Sequence, residues 1–168
     1  MVYLIGFMGV GKTTIAKLLA NKLKLPFFDT DQIIEQQEKR SIAEIFKKEG
    51  ELYFRMLETE LLKQYNSKGI VACGGGLPLF NNNMEYIKKT GVSIYLKASI
   101  DFLFTRLKNK KKERPLISAA VDGKLKQFIQ TQLEKRKNIY NKATYIVDVE
   151  DKTSKEILGE IHSLLGST

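Results

Sequence analysis

The sequence predicts an α/β protein in which a parallel β-sheet lies between two layers of helices. Short apolar runs and amphipathic helical segments alternate from one end of the chain to the other. A glycine-rich motif joins the first apolar run to the first helix, and later runs are separated by enough chain to form crossover helices. Strands connected through helices pair in parallel, because the helix returns the chain to the end of the sheet at which the previous strand began. Such crossovers are right-handed.

The candidate strands are short and apolar, as expected of parallel strands that helices cover on both faces. They are residues 2–5, 27–28, 69–73, 92–96 and 145–149. Helices are predicted at residues 13–24, from 41 to the interruption at Gly50, from there to about residue 64, and at residues 83–89, 99–108, 124–140 and 157–165. Pro26 follows the end of the first helix, and capping boxes open two others at Ser41–Glu44 and Thr153–Glu156.

The chain of 168 residues is expected to form a single domain covering residues 1–168. No segment reaches the roughly 18 uncharged apolar residues of a membrane span. The amino terminus lacks the basic region and cleavage site of a signal peptide. Because Cys73 is the only cysteine, no internal disulfide can form. We therefore expect a cytoplasmic protein with no membrane partner.

The net charge of +9 raises the alternative of a nucleic-acid-binding module. Lysines are spread along most of the predicted helices, and the one dense group comprises Lys108, Lys110, Lys111 and Lys112. No aromatic-interleaved ribonucleoprotein pattern or zinc-finger spacing accompanies that group. We expect a basic cleft for small anionic ligands and no nucleic-acid partner. A salt-sensitive affinity for DNA would identify the alternative.

Residues 6–13 match the phosphate-loop pattern G-x-x-x-x-G-K-[ST] between a predicted strand and a predicted helix. Glycines allow the backbone N–H groups to turn towards phosphate oxygens, and the helix adds its positive amino-terminal end. Lys12 would reach the β- and γ-phosphates, and the hydroxyl of Thr13 would bind Mg²⁺. The alternative is a glycine-rich turn followed by a chance lysine. The residues expected around the ATP phosphates are Gly9, Val10, Gly11, Lys12, Thr13 and Thr14.

Asp29, Thr30 and Asp31 follow the second predicted strand, at the edge where open α/β sheets bind ligands. A carboxylate there can accept a proton from a substrate hydroxyl or hold Mg²⁺ through water. The alternative is that an aspartate caps the next helix.

Arg55 and Glu58 lie three residues apart on one face of a predicted helix. They form either a surface ion pair or an arginine fork for a substrate carboxylate that Glu58 orients. Gly74, Gly75 and Gly76 directly follow the third strand and either let the backbone approach a ligand closely or form a flexible turn.

Residues 109–123 are charged, contain Arg114 and Pro115, and show no clean period. We expect a long surface loop, and a loop of this length is commonly functional. Arg114 could fold over the nucleotide and stabilise charge on the transferring phosphoryl group. Arg136 lies one turn before Tyr140 on the following helix. Taken alone, both arginines fit the interpretation as solvated charges better than that as ligands.

Other chemistries fit the residues less well. His162 is the only histidine and lies in the last predicted helix, which argues against histidine-based catalysis and histidine metal sites. Cys73 has no neighbouring histidine base and is interpreted as a packed residue at a strand end. The base-specifying N-K-x-D of a GTPase is absent, because the sequence at residues 141–144 ends in Thr144.

Taken together, these motifs resemble those of the shikimate kinase family. The phosphate loop, D-T-D, G-E-x-x-F-R-x-x-E, the glycine triplet, R-P-L and a later arginine occur in the family's order between Gly6 and Tyr140. The resemblance implies a P-loop kinase fold with a lid loop at about 109–123 and strand order 2-3-1-4-5. It implies transfer of the ATP γ-phosphoryl group to the 3-hydroxyl of shikimate by direct in-line displacement. Gluconate-type and nucleotide kinases share the first motif and remain the alternative enzymes.

The resemblance also implies particular residue roles, with substrate-binding helices at about 31–65. Asp31 would contact the shikimate hydroxyls and act with Lys12 and Arg114 in catalysis, while Arg55 and Arg136 would bind the shikimate carboxylate. Arg114 would touch the ATP phosphates, and Arg106 would stack on adenine, a weaker match. The full expected set is Asp31, Arg55, Glu58, Gly74, Gly75, Gly76 and Arg136 for shikimate, and Thr13 and Asp29 for Mg²⁺.

A monomer is expected. The sequence departs from the family's pattern in two places. The lid contains extra lysines, and Cys73 stands where threonine is frequent, but neither change removes a group that would bind a ligand.

Overall fold

A computed structural model of the chain describes residues 1–65, 67–108 and 122–166, with the side chains of residues 122 and 123 left out. Arg114 and nearly all of the predicted lid at 109–123 therefore lie outside the described residues. Within them, the strands are β1 (Val2–Ile5), β2 (Phe27–Asp29), β3 (Ile70–Ala72), β4 (Val92–Lys97) and β5 (Tyr145–Asp148). The helices are α1 (Lys12–Leu23), α2 (Thr30–Glu38), α3 (Ile42–Gln64), α4 (Asn83–Thr90), α5 (Ile100–Lys108), α6 (Asp122–Tyr140) and α7 (Ser154–Gly166).

The strands form one parallel sheet in the order β2-β3-β1-β4-β5, which confirms the predicted order. The central strand β1 pairs with β3 on one side and with β4 on the other, so that Leu4 lies between Ala72 and Ile94. Because all strands run the same way, their carboxyl ends meet at a single edge. The segments that follow β1, β2 and β3 are the phosphate loop, α2 and the glycine triplet, and this edge brings them together.

Apolar side chains fill both faces of the sheet and make the three-layer architecture. Alternate residues of β1 point to opposite sides, and Leu4 belongs to one cluster while Tyr3 and Ile5 belong to the other. The first cluster takes its helical residues from α1, α5, α6 and α7, including Leu19 and Leu107. The second takes them from α3, α4 and the end of α6. A separate small cluster joins α2 to α3 and contains Ile34, Ile45, Phe54 and Leu61.

The predicted elements are present, with shifts of at most three residues at their ends. The largest shift is at the last helix, which begins at Ser154 because Thr153 closes the expected capping box with Glu156. The other predicted box is also formed, since Ser41 accepts from the Glu44 N–H and its own N–H donates to the Glu44 carboxylate. The short 3₁₀ turn at Leu77–Leu79 was not predicted.

Gly50 interrupts α3 as predicted, although the helix resumes on the far side. Its φ of 83° and ψ of 171° lie outside the helical region, and the chain therefore kinks between Ile42 and Gln64. Glycine adopts this positive φ without the steric conflict that a Cβ would cause. The second half of α3 carries Arg55 and Glu58, which lie against the glycine triplet at the carboxyl edge of the sheet. None of the helices in the described ranges is long and apolar enough to cross a membrane.

Candidate active site

A cavity of about 420 Å³ opens at the carboxyl edge of the sheet. It lies between the phosphate loop, the start of α2 and the residues after β3, as the crossover connections require. The side chains and backbone that line it are those of Met8, Gly9, Gly11, Lys12, Thr13, Thr14, Asp29, Asp31, Ala72, Cys73, Gly75 and Arg106. Predicted nucleotide and acceptor residues thus face one another across a single space.

The phosphate loop has the backbone conformation that anion binding needs. Gly9 and Gly11 have φ angles of 83° and 109°, and Gly11 directly precedes α1, so that the amino-terminal end of the helix faces the cavity. The first turn of α1 contains no acidic residue that would oppose an anion. Val10 is buried in the core beneath the loop, so that only its backbone is available to a ligand. Thr14 is exposed at the cavity wall.

Lys12 holds the loop together from inside. Its Nζ donates hydrogen bonds of 2.9 Å to the carbonyl oxygen of Gly6 and 3.0 Å to that of Phe7. These contacts keep the ammonium group at the rim of the cavity, beside the backbone that would surround phosphate oxygens. The glycine-rich sequence is therefore a shaped loop with its lysine in place, and not a turn followed by a chance lysine.

Asp29 caps α2, as one interpretation of the sequence predicted, and its second carboxylate oxygen contacts the phosphate-loop side of the cavity. Its Oδ1 accepts hydrogen bonds from the backbone N–H groups of Asp31 and Gln32, at 3.1 and 3.3 Å, and so caps α2. Its Oδ2 accepts a 2.7 Å hydrogen bond from the hydroxyl of Thr13. Two oxygen donors from different elements thus lie side by side at the cavity wall. A carboxylate and a hydroxyl, completed by water and phosphate oxygens, make a donor set that fits Mg²⁺.

The glycine triplet is a tightly packed turn and is not a flexible one. Thr30 Oγ1 accepts a 2.8 Å hydrogen bond from the Gly74 N–H, and Tyr140 donates one of 2.6 Å to the Gly75 carbonyl oxygen. Each glycine touches a different predicted acceptor residue, because a Cβ at any of the three positions would crowd one. Gly74 would meet Asp31 and Glu58, Gly75 would meet Arg136, and Gly76 would overlap the Arg55 guanidinium.

Arg55 and Glu58 are buried, and the interpretation as a surface ion pair is wrong. Arg55 is 5% exposed and Glu58 is fully buried, and Arg55 Nη1 donates a 2.6 Å hydrogen bond to Glu58 Oε2. The guanidinium also lies 5.1–5.9 Å from the ring centres of Phe46, Phe54 and Phe80. This enclosure fixes the planar fork and removes most of its hydration, which strengthens any interaction with an anionic ligand.

Burial raises the pKa of Glu58 to about 7 from its ordinary value of 4.5. The nearby Arg55 opposes this shift, and the Asp31 carboxylate adds to it. The second carboxyl oxygen, Oε1, is buried without a hydrogen-bond partner among the described residues, on the side where Gly74 and Asp31 lie. The site therefore contains one carboxyl group that takes up a proton near neutrality.

Arg136 is also buried, at 8% exposure, so the solvated-charge interpretation is wrong for it as well. Its Nη2 donates a 3.0 Å hydrogen bond to Gln132, and its guanidinium lies 5.2 Å from the ring centre of Phe7. Its Nη1 is buried next to Gly75 and has no hydrogen-bond partner in the part of the chain described. A desolvated cationic donor beside Gly75, which lines the cavity, has the chemistry to bind an anion.

Arg106 lies at the opposite end of the cavity, beyond the phosphate loop. Its side chain is exposed, packs over the ring of Phe102 at 4.5 Å, and approaches Gly11. It is thus placed where a nucleotide base beyond the phosphates could stack on it. Arg114, the predicted lid residue, lies outside the described residues, and its proposed contact with the nucleotide stays a prediction.

Sequence reasoning missed the residues that support the site from behind. Thr30 was named only as the middle of D-T-D, although its hydroxyl orders the glycine turn. Thr59 donates to the Arg55 carbonyl oxygen and accepts from the amides of Asn81 and Asn83. Threonine one turn after an arginine is too common a pair to signal this network.

Cys73 is buried, and burial raises the pKa of its thiol, which agrees with a packed role.

These features define a class. A parallel sheet of order 2-3-1-4-5, a phosphate loop after the first strand and a second, charged acceptor site opposite it make the chain a P-loop phosphotransferase for a small molecule. The model of the shikimate kinase family matches residues 8–165, and the chain belongs to that family. This match confirms the family that the motifs resemble. It also confirms the predicted kinase fold and the predicted activity, phosphorylation of shikimate.

Individual relatives agree with the family match. The chain is 41% identical to the shikimate kinase of Azobacteroides pseudotrichonymphae, over 94% of each chain. The crystal structure of shikimate kinase from Bacteroides thetaiotaomicron has a TM-score of 0.91 at 37% identity and covers 98% of this chain and 97% of that one. That of the Acinetobacter baumannii enzyme in complex with shikimate has a TM-score of 0.90 at 32% identity, with 99% and 92% covered.

Proposed function

We propose that the chain carries out its family's reaction through the residues gathered at this cavity, transferring the γ-phosphoryl group of ATP to the 3-hydroxyl of shikimate. The products are shikimate 3-phosphate and ADP. The observation that carries the proposal is the packing of Asp31, Glu58, Arg55 and Arg136 around the glycine triplet, across one cavity from the phosphate loop. Phosphoryl transfer needs little beyond alignment and charge neutralisation, and this arrangement provides both.

The nucleotide would bind along the phosphate loop, with its phosphates against the N–H groups of residues 9–14 and the ammonium group of Lys12. Lys12 would exchange its contacts with the Gly6 and Phe7 carbonyl oxygens for phosphate oxygens. Thr13 and Asp29 would hold Mg²⁺, which would neutralise part of the charge on the phosphates. Arg106 would stack on the base, and Arg114 would close over the phosphates from the lid.

The acceptor would bind with its carboxylate between Arg55 and Arg136 and its hydroxyl groups towards Asp31. Nη1 of Arg136, which lacks a hydrogen-bond partner within the described ranges, supports this orientation, because a buried donor without a partner is unfavourable until a ligand accepts from it. Gly75 would contribute a backbone contact from the middle of the turn, flanked by Gly74 and Gly76. Asp31 would align the attacking hydroxyl and accept its proton.

We propose that the chain works as a single domain and a monomer in the cytoplasm, with ATP and shikimate as its ligands and no nucleic-acid or membrane partner. Helices at about 31–65 would carry the acceptor and the loop at about 109–123 would form the lid. The basic charge supports this view, because both substrates are anions that a positive cleft attracts. Size-exclusion chromatography with light scattering measures the oligomeric state directly.

An acceptor panel tests substrate identity. ADP release is measured with shikimate, gluconate and nucleoside monophosphates offered in parallel at equal concentrations. Shikimate should give a kcat/KM at least 100-fold above the others, because an acceptor whose hydroxyl groups do not reach Asp31 while its carboxylate binds the two arginines leaves buried polar groups unpaired. If gluconate were phosphorylated as efficiently as shikimate, the alternative of a gluconate-type kinase would be favoured instead. A gluconokinase from Sinorhizobium meliloti shares the fold at 18% identity, a likeness that shows the fold alone.

Replacing Arg55 with alanine tests the carboxylate contact. Truncating one member of such a pair costs about 2–5 kcal/mol, so kcat/KM for shikimate should fall roughly 30-fold or more while the KM for ATP changes much less. Arg55→Lys should rescue only part of the loss, because an ammonium group cannot make two parallel hydrogen bonds.

Arg40→Ala is the matched control, since Arg40 also pairs with two glutamates, Glu38 and Glu49, but lies away from the cavity. A shikimate analogue with an amide in place of the carboxylate provides the second control. It should be a poor substrate and lose little further activity in Arg55→Ala. If Arg55→Ala lowers the activity with shikimate and with the amide analogue by the same factor, Arg55 has a structural role only.

A further inference from the structure

Arg55 pairs with two carboxylates of different character. Glu58, fully buried, accepts from Nη1, whereas Glu51 Oε1 accepts from both Nε and Nη2, at 3.1 and 2.8 Å. The Glu51 side chain is 57% exposed. The Nε and Nη2 groups form one of the two edges through which a guanidinium binds a carboxylate in bidentate fashion. That edge is thus occupied by a carboxylate of the protein itself.

We infer that the Glu51 carboxylate is a displaceable occupant of the Arg55 fork, which competes with the substrate carboxylate and sets the affinity of the free enzyme for its acceptor. This inference rests on the proposed function, in which Arg55 binds the substrate carboxylate. Glu51 would then be a residue that tunes specificity and affinity without touching the reacting atoms.

The local structure allows Glu51 to leave without disturbing Arg55. The guanidinium stays anchored by the buried Glu58 and by the rings of Phe46, Phe54 and Phe80. Glu51 itself immediately follows the non-helical Gly50, near the kink of α3, and most of its side chain is in solvent. A flexible, hydrated carboxylate can rotate into water at little cost, whereas the enclosed arginine cannot move.

Charge balance gives a reason for the exchange. If Glu51 stayed while a substrate carboxylate bound, both would lie at Arg55 together with Glu58, and the Asp31 carboxylate lies beside Glu58. Like charges within a few ångströms of one another are unfavourable, especially where water is partly excluded. Departure of Glu51 removes one negative charge from this group. In the absence of substrate, Glu51 compensates Arg55, which would otherwise lose hydration without a partner on that edge.

Two substitutions separate direct competition from a general charge effect. Glu51→Gln removes the charge, whereas Glu51→Asp keeps it but shortens the side chain by one methylene and withdraws the carboxylate from Arg55. Glu49→Gln is the matched control, because Glu49 lies two residues earlier, is 43% exposed and pairs with Arg40 instead. Calorimetry gives the Kd of shikimate, and of its amide analogue, for the nucleotide-free proteins, and thermal unfolding confirms that each variant is folded.

Competition predicts that both Glu51 variants bind shikimate more tightly, by roughly two- to fivefold, the contribution of a displaced solvent-exposed ion pair. Glu49→Gln should bind like the parent, and no variant should gain affinity for the amide. The inference is overturned if Glu51→Asp resembles the parent, since a general charge effect is then sufficient. It is also overturned if either Glu51 variant binds more weakly, since Glu51 then supports Arg55. Failure of the proposed function is recognised separately, because Arg55→Ala would in that case leave shikimate affinity unchanged.

Discussion

The hydroxyl group of Tyr140 donates a 2.6 Å hydrogen bond to the carbonyl oxygen of Gly75, 65 positions earlier in the chain. Tyr140 is fully buried and packs its ring at 5.0 Å from that of Tyr95 on β4. It lies one turn after Arg136 on α6. One buried side chain therefore links the helix that carries a predicted carboxylate ligand to the turn that lines the acceptor pocket.

Tyr140→Phe should loosen this turn while leaving the core filled. Loss of the hydrogen bond is expected to lower the free energy of unfolding by about 1 kcal/mol and to raise the KM for shikimate severalfold, because Gly75 and Arg136 are no longer held together. Urea denaturation and steady-state kinetics measure the two effects.

Tyr3→Phe is the matched control for that substitution. Tyr3 is fully buried in the same cluster, and its hydroxyl lies 2.9 Å from that of Thr90, far from the cavity. It should lose similar stability with an unchanged KM. An equal rise of KM in both variants would mean that general destabilisation, and not the Gly75 contact, controls substrate binding.

The sequence predicted the fold well because its signals are local and consistent. Buried apolar runs, two capping boxes and Gly50 each mark an element or its end without reference to the rest of the chain. The roles that depend on tertiary packing were not predictable. Burial of Arg55 depends on Phe46, Phe54 and Phe80, and the last of these comes from a segment 25 positions away. No local pattern distinguishes such an arginine from one that forms a surface ion pair.

Glu58 should make stability depend on pH in a particular direction. Its pKa is raised to about 7 in the folded protein from an ordinary value of 4.5, so the folded state binds the proton more tightly than the unfolded state. The stabilising contribution is complete below about pH 4.5 and is lost as the pH rises through about 7. The slope in that window is at most about 1.4 kcal/mol per pH unit.

Glu58→Gln keeps an oxygen acceptor for Arg55 but cannot titrate. It should therefore lack the pH-dependent contribution that Glu58 makes to the free energy of unfolding. Chemical denaturation at pH 5, 6, 7 and 8 measures it as the difference between variant and parent, since the other titrating groups are common to both. The variant should gain stability relative to the parent as the pH rises. Parallel curves would show that Glu58 is ionised across the whole range.

Lys12→Met should separate folding from catalysis. The ammonium group donates to the loop carbonyl oxygens of Gly6 and Phe7 at the rim of the cavity and not in the apolar core, so the variant should fold normally. Loss of a preorganised charge at the transferring phosphoryl group should reduce kcat by about 10²-fold or more. Lys17→Met, on the exposed side of the same helix above the Phe27 ring, should keep parent kinetics. A near-parent kcat in Lys12→Met would show that the loop is not the catalytic phosphate site.

Asp29→Asn can distinguish metal binding from helix capping. Asparagine caps helices as well as aspartate does, so the bonds to the Asp31 and Gln32 N–H groups and the stability should be retained. The lost charge should raise the Mg²⁺ concentration needed for half-maximal activity on the order of 10–100-fold, the usual effect of removing a supporting group from a metal site. Asp29→Ala should in addition lose about 1 kcal/mol of stability. An unchanged Mg²⁺ requirement in Asp29→Asn would limit Asp29 to capping.

Gly76→Ala tests whether the glycine turn is built for close packing against Arg55. The φ and ψ of Gly76, −91° and −19°, suit any residue, so that an effect of the substitution comes from space and not from backbone strain. The new Cβ would overlap the Arg55 guanidinium, which Glu58 and three aromatic rings hold in place. We expect a loss of about 1–3 kcal/mol of stability from overpacking.

The same variant should raise the KM for shikimate by about tenfold or more, because a displacement near 1 Å is enough to spoil a positioned fork. The KM for ATP should change little, since the atoms nearest to the added Cβ are those of the Arg55 guanidinium. Gly159→Ala is the matched control. Gly159 lies within α7 with no atom within 4 Å of an added Cβ, so alanine there should stabilise the helix by up to about 1 kcal/mol and leave both KM values unchanged. If Gly76→Ala binds shikimate as the parent does, Arg55 can yield to the added methyl group, and the fork does not depend on its contact with the turn.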